Sequence, residues 1–140
     1  MNCVFCSIIN RKTPAEIIYE DSLVISFLDI RPFNFGHTLV VPKHHSEDLL
    51  SVPEEYLSRL FLKVQDISGA VVRGLGAAGF NVLSNNGPAA GQTVFHCHIH
   101  IIPRFDTDPF KFKMNLKKYN DGEMRLTGDK IRLFLPPQEK

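Results

Sequence analysis

The stretch HCHIHII, residues 96–102, sets histidines at every second position, and these three are half of the six histidines in the chain. In an extended segment successive side chains point to opposite faces, so His96, His98 and His100 share one face while Cys97, Ile99 and Ile101 occupy the other. Neighbouring imidazoles then stand roughly 6.5–7 Å apart, twice the rise per residue of a strand. Two chemistries fit such a row. Two or three rings could ligate a metal, as zinc enzymes do with alternating histidines on a strand. Alternatively, one ring could attack an electrophile such as phosphorus while its neighbours orient it and bind the anionic oxygens. The second chemistry needs donors for phosphate. The loop NNGPAAGQT, residues 85–93, offers small residues with accessible backbone N–H groups, together with Asn85, Gln92 and Thr93. A zinc hydrolase would more often bring a carboxylate close to the row, and none lies within it.

A second constellation stands at the start of the chain, where Cys3-x-x-Cys6 has a ligand spacing found in many zinc sites. The competing reading, a redox dithiol, expects a thioredoxin-like βαβ context that is missing. Three cysteines in a chain without a secretion signal argue for thiols or metal ligands over a disulfide framework.

Stretches able to position these residues follow from the apolar pattern. Residues 24–30 (VISFLDI) and 36–42 (GHTLVVP) are rich in β-branched and aromatic residues and read as strands, with a hairpin expected. Residues 51–79 open with a candidate capping box, Ser51 and Glu54, and space Leu57, Leu60, Phe61, Val64, Ile67, Val71 and Leu75 by three and four, which predicts an amphipathic helix ending at the glycines. Residues 80–86 read as another strand, residues 87–93 as a tight loop, and residues 95–104 as a strand by alternation. Beyond Phe105 the pattern weakens, with one short helix expected in residues 128–135 and a loose tail after it. An antiparallel sheet packed on a helix, an α+β domain, accounts for this order.

Bulk properties set the limits. The chain has 140 residues, 44% of them hydrophobic and 22% charged, which suits one globular domain. A formal charge of +1 supplies no global field toward nucleic acid or anionic lipid, so neither is expected as a partner and an anionic substrate must be held locally. The longest apolar runs fall far short of the ~18 residues of a membrane span. The first residues lack the charged region and cleavage site of a signal peptide, and the expectation is a cytoplasmic protein.

The motif GQTVFHCHIHIIPR resembles the His-x-His-x-His-apolar-apolar signature of the histidine triad (HIT) superfamily. Residues 17–45 are similar to that family's N-terminal half, with its acidic strand end, its Gly-His before an apolar strand and its Pro-Lys-x-His, and residues 81–92 resemble its Asn-containing loop. The match spans about residues 3–104, within a single domain expected to cover residues 1–140. The resemblance implies a HIT-like fold: an antiparallel sheet of about five strands packed with one long helix and a short N-terminal helix. It implies a nucleotide hydrolase or transferase that cleaves at the α-phosphate of nucleoside phosphoramidates or dinucleoside polyphosphates through a nucleotidyl-His98 intermediate. A nucleotide-sensing or partner-binding module with vestigial catalysis is the alternative, and a zinc hydrolase using His96, His98 and His100 as ligands is a third.

Carried over residue by residue, the resemblance makes His98 the nucleophile, with His100, His96, Gln92 and Thr93 as further catalytic residues. His37 and His100 would contact phosphate or support the nucleophile, Asn85 would help hold the phosphate, and Gln92 and Thr93 would contact the phosphate and the leaving-group oxygen. Asp29 would bind the ribose hydroxyls, and Phe27 and Ile30 would line the pocket of a purine nucleotide. Thr93 stands where serine is common and keeps the hydroxyl. Members with an N-terminal Cys-x-x-Cys hold zinc, which implies one structural Zn²⁺ per chain on Cys3, Cys6, His45 and His96, with no organic cofactor. A homodimer is likewise implied. His44 is expected at the surface, and Cys97 buried and inert.

Overall fold

The computed structural model describes residues 2–139, which divide after Phe110 into two compact units. In the first unit the elements run α1 (Val4–Ile9), β1 (Ile17–Glu20), β2 (Val24–Leu28), β3 (Thr38–Pro42), α2 (Glu54–Leu75), β4 (Gly79–Leu83) and β5 (Ile99–Arg104). All strand pairs are antiparallel, in the order β1-β2-β3-β5-β4. This is an α+β architecture with five strands, a long helix and a short N-terminal one.

The central strands are buried on both faces, which is why β2 and β3 read as continuous apolar runs. Val24, Val40, Ile99 and Ile101 face α2 and meet Leu60, Val64, Ile67 and Val71. On the opposite face Ile25, Phe27, Leu39 and Val41 meet Phe5 and Ile8 of α1. Helix α2 thus covers the central strands of one side, whereas the six-residue α1 covers only part of the other and leaves room beside it.

Local details depart from the sequence reading. Helix α2 begins after Pro53 with no side-chain cap; the capping box forms one turn earlier, where Asp48 and Ser51 close a short 3-10 turn. Proline at 53 disfavours helical backbone at the residue before it, and Val52 is extended (φ −72°, ψ 124°), which leaves Ser51 in the preceding turn. Phe61 and Leu75, assigned to the apolar stripe, are 43% and 47% exposed. Strand β1 has only four residues and half-buried alternation, too short to stand out by pattern. Strand β5 starts at Ile99, so His96 and His98 precede the regular ladder, yet alternation persists: Cys97 joins the α2 side while His98 and His100 face the α1 side.

Glycine is required at position 36, where φ is +96° and an added Cβ would lie 2.1 Å from Leu75 Cδ1. In the second unit α3 spans Glu123–Arg132, earlier than the sequence pattern suggests, with no buried residue. Glu123 in its first turn and Lys130 and Arg132 in its last complement the helix dipole, which needs no apolar periodicity. Among the described residues no helix is long and apolar enough to cross a membrane.

Candidate functional site

Beside α1 lies a cleft of about 440 Å³, whose floor carries His37, His98 and His100. Strand register explains the grouping. Leu39 pairs with His100 across β3 and β5, so His37, two residues before Leu39, is the diagonal neighbour of His100 on the same face. The cleft wall includes Phe27, Asp29, Ile30, Asn85 and Thr93, all expected from sequence. Gln92 is placed differently. Its amide is buried, accepting from Gly87 N–H at 2.8 Å and donating to the carbonyls of Glu47 at 2.6 Å and Val94 at 3.1 Å, so it braces the loop and does not line the cleft.

Part of the loop differs from expectation. The N–H groups of Gly87, Ala90, Gly91 and Gln92 are engaged inside the loop. Asn85 and Thr93 line that wall and bring side-chain donors to it. Asn86 holds the loop from outside, accepting from Leu49 N–H at 2.7 Å.

Hydrogen bonds order the protons on the three imidazoles of the cleft floor. His98 Nδ1 lies 2.6 Å from the His96 carbonyl and must donate to it, which leaves Nε2 as a lone pair. Phe33 N–H donates to His37 Nδ1 at 3.1 Å, so the His37 proton sits on Nε2. His37 Nε2 is 2.8 Å from His100 Nδ1, which then accepts and leaves the proton of His100 on Nε2. That last atom is buried and has no protein partner. One ring thus offers a nucleophilic nitrogen and the next an unpaired donor, their centroids 4.9 Å apart. Phe5 stands edge-on to His98 at 5.0 Å and 84°.

Burial keeps these rings neutral. It lowers His98 below the ordinary histidine value, and it lowers His100 to about 4, with His98 and His37 adding to the effect. His37 is also lowered by burial. A neutral imidazole is the nucleophilic form. The same shifts bear on stability. Between about 4 and 6.5 the unfolded chain binds protons that buried His100 refuses, so this contribution is full above pH ~6.5 and is lost as pH falls toward 4. Denaturant titrations in chelator should show unfolding free energy falling by roughly 2 kcal/mol more between about pH 7 and 4.5 than in His100→Asn. Equal pH slopes for the two proteins would remove the buried neutral imidazole from the account.

His96 is turned elsewhere. It is fully buried, its Nε2 donates to the Pro42 carbonyl at 2.8 Å, and its Nδ1 lone pair meets three other candidate ligands. His96 Nδ1 is 3.4 Å from Cys3 Sγ, 3.6 Å from Cys6 Sγ and 3.1 Å from His45 Nδ1, and Cys6 Sγ is 3.3 Å from His45 Nδ1. A tetrahedron with Zn–S of about 2.3 Å and Zn–N of about 2.0–2.1 Å has edges of about 3.3–3.8 Å, so four soft or borderline donors stand at the spacing of a closed metal site. Cys3 is the N-cap of α1 and Cys6 lies within it, so the quartet ties that helix to the sheet and the loop after β3.

Among the described residues the two candidate metal clusters are this quartet and Asp29, His37 and His100. Neither contains His98, and the three triad rings do not converge on one point, which disfavours a catalytic metal held by the triad. The second cluster is poorly suited to a cation, because Phe33 N–H claims His37 Nδ1 and forces a proton onto the nitrogen that would have to ligate. Asp29 instead accepts from Arg31 N–H at 2.8 Å, with its other oxygen 3.7 Å from His37 Nε2. His44 is exposed, and Cys97 is buried, its thiol pushed up to about 11 by burial.

The sequence reading missed Phe5, which only the folded position of α1 brings to His98, and Phe33, whose role is carried by a backbone N–H. No side-chain signal marks either.

A five-stranded antiparallel sheet, one long helix and a row of alternating histidines beside a cleft define a histidine-triad protein. The chain belongs to the HIT family, whose domain model matches residues 10–107. A crystal structure of a HIT family member from Bacillus subtilis superposes with a TM-score of 0.92 at 37% identity, covering 99% of this chain and 100% of that one. A Zn-bound histidine triad family protein from Mycobacterium smegmatis is 45% identical, with a TM-score of 0.75 over 84% of this chain and 85% of that one. An adenylylsulfatase from Arabidopsis thaliana is 41% identical over 119 residues, 85% of this chain and 60% of that protein.

Proposed function

We propose that this protein is a nucleotide hydrolase or transferase acting at the α-phosphate of nucleoside phosphoramidates or dinucleoside polyphosphates. The observation that carries the reading is the proton order on the cleft floor: a lone pair on His98 Nε2 next to a free N–H on His100 Nε2. His98 Nε2 attacks phosphorus, a P–N bond forms, and the bond to the leaving group breaks, the leaving group taking its proton from solvent. Water then attacks the nucleotidyl-histidine, the P–N bond breaks, and the nucleoside monophosphate departs. His100 Nε2–H, Thr93 and Asn85 donate to the phosphoryl oxygens, where a preorganised donor counts most. Gln92 acts through the loop that carries Thr93, and His96 through the carbonyl that sets the tautomer of His98. The apolar wall with Phe27 and Ile30 suits a purine, and Asp29 at its edge a ribose. The similarity to an adenylylsulfatase, an enzyme named for a nucleotide substrate, agrees with this class.

Cys3, Cys6, His45 and His96 hold one structural zinc in this reading, supported by the donor spacing and by the Zn-bound relative. The protein works as a cytoplasmic homodimer, residues 1–140 forming one HIT domain per chain. The edge strand β4, with Phe80 and Val82 each 45% exposed, gives a second copy an apolar border to cover. Turnover of an adenosine phosphoramidate and a diadenosine polyphosphate, each with and without chelator, tests the reading. At least one substrate should be cleaved to AMP with no metal added. Tight AMP binding without turnover of either substrate would leave a binding module in place of an enzyme.

A further inference from the structure

Asp108 lies one position beyond the segment matched by the family model, and nothing in the motif points to it. Its carboxylate is 6% exposed and accepts four hydrogen bonds: Arg104 Nε at 3.0 Å, Arg104 Nη2 at 3.0 Å, Phe105 N–H at 2.7 Å and Asn34 Nδ2 at 3.1 Å. The Arg104 guanidinium holds this carboxyl well below the usual carboxylate range, which keeps it an anion at neutral pH. Asn34 Nδ2 also donates to the Pro103 carbonyl at 2.8 Å. The loop between β2 and β3 is thereby fastened to the end of β5.

That loop is the one that sets His37. Asn34 O accepts from His37 N–H at 3.0 Å, and Phe33 N–H reaches His37 Nδ1. The Phe33 ring stacks on His37 at 5.3 Å and on Phe110 at 4.8 Å, and the Arg104 guanidinium covers Phe110 at 4.8 Å. Only one proton order satisfies this arrangement. If the His37 proton moved to Nδ1 it would face the Phe33 N–H, donor against donor, and His100 Nε2 would then carry a lone pair in place of its proton.

We propose that Asp108 and Asn34 are positioning residues that hold the Phe33 N–H against His37 and thereby keep the proton of His100 on Nε2. Loss of the anchor releases the loop, both proton orders become accessible, and the cleft presents a mixture of donor and acceptor to an anionic phosphoryl group. The inference rests on the proposed role of the cleft, but its primary readout is independent of turnover.

The test uses Asn34→Ala, Asp108→Ala and Asp108→Asn in the full chain, with imidazole ¹⁵N spectra and steady-state kinetics. In the native protein His37 and His100 should each show the Nε2–H tautomer and His98 the Nδ1–H tautomer. In both alanine variants His37 and His100 should become averaged while His98 is unchanged, and kcat should fall about 10–100-fold with KM altered less than about threefold. Asp108→Asn keeps an oxygen acceptor for the loop and should recover most of the loss. Asn34→Ala leaves the Arg104–Asp108 pair intact, so it separates loop anchoring from folding. Unchanged His37 and His100 tautomers in Asn34→Ala would overturn the inference, as would parallel changes of kcat and KM. Absence of turnover in the native protein would defeat the proposed function alone, because the spectra still decide the tautomer question.

Discussion

His98→Ala should lower turnover by at least about 10⁴-fold while AMP affinity stays within a few-fold of the native value. The two readouts separate because the apolar lining of Phe27, Ile30 and Phe5 remains in place when the imidazole is removed. Loss is large because no other atom on the floor can substitute. His100 Nδ1 is occupied by His37, His100 Nε2 carries a proton, and His96 faces the cysteines. His100→Ala should be milder, about 10²–10³-fold, since it deletes one donor and leaves the nucleophile. Steady-state assays combined with AMP titration by calorimetry check both variants. Near-native turnover in His98→Ala would refute the mechanism, and loss of AMP binding with it would assign His98 to recognition.

The second large effect concerns the metal quartet. A helix of six residues has no stability of its own in water, and α1 is held by little besides Phe5, Ile8 and the ligands at its N-terminus. Cys6 N–H reaches Cys3 Sγ at 3.4 Å, so the first ligand also caps the helix that carries the second. Zinc in thousandfold excess over its dissociation constant would stabilise the folded state by about 4 kcal/mol, which in a chain of this size moves the melting temperature by roughly 10–20 °C. Chelation, or Cys6→Ser, should remove that increment. Because Phe5 and Ile8 also form one wall of the cleft, AMP affinity should weaken at the same time, and by reciprocity AMP should raise the affinity for zinc in competition with a chelator. Calorimetric melts paired with elemental analysis check this. An unchanged melting temperature in protein shown to be free of metal would remove zinc from the fold.

What the sequence revealed, and what it did not, divides by the range of the cause. Alternation over residues 96–101 is local, and it correctly separated His98 and His100 from Cys97, Ile99 and Ile101. The three- and four-residue spacing of Leu60, Val64, Ile67 and Val71 likewise located α2 and its buried stripe. Phe61 fits the same spacing yet is 43% exposed, because periodicity cannot say how wide a stripe the sheet covers. The grouping of Cys3, Cys6, His45 and His96 came with the family resemblance; spacing alone indicated only Cys3 and Cys6. Gln92 shows the limit of motif reasoning. Its type suits phosphate, but the carbonyls of Glu47 and Val94 and the N–H of Gly87 claim the amide first. Asp108 and Phe33 were illegible for a related reason: their effect on His37 passes through contacts across β3 and β5 and through a backbone N–H that every residue but proline possesses.

The stereochemical course at the α-phosphorus bears most directly on attack by His98. An adenosine substrate made chiral at that phosphorus with oxygen isotopes can be hydrolysed and the configuration of the AMP product determined. Two successive in-line displacements, first by His98 Nε2 and then by water, give net retention, which is the expected result. Net inversion would mean a single displacement by water and would contradict a nucleotidyl-histidine intermediate.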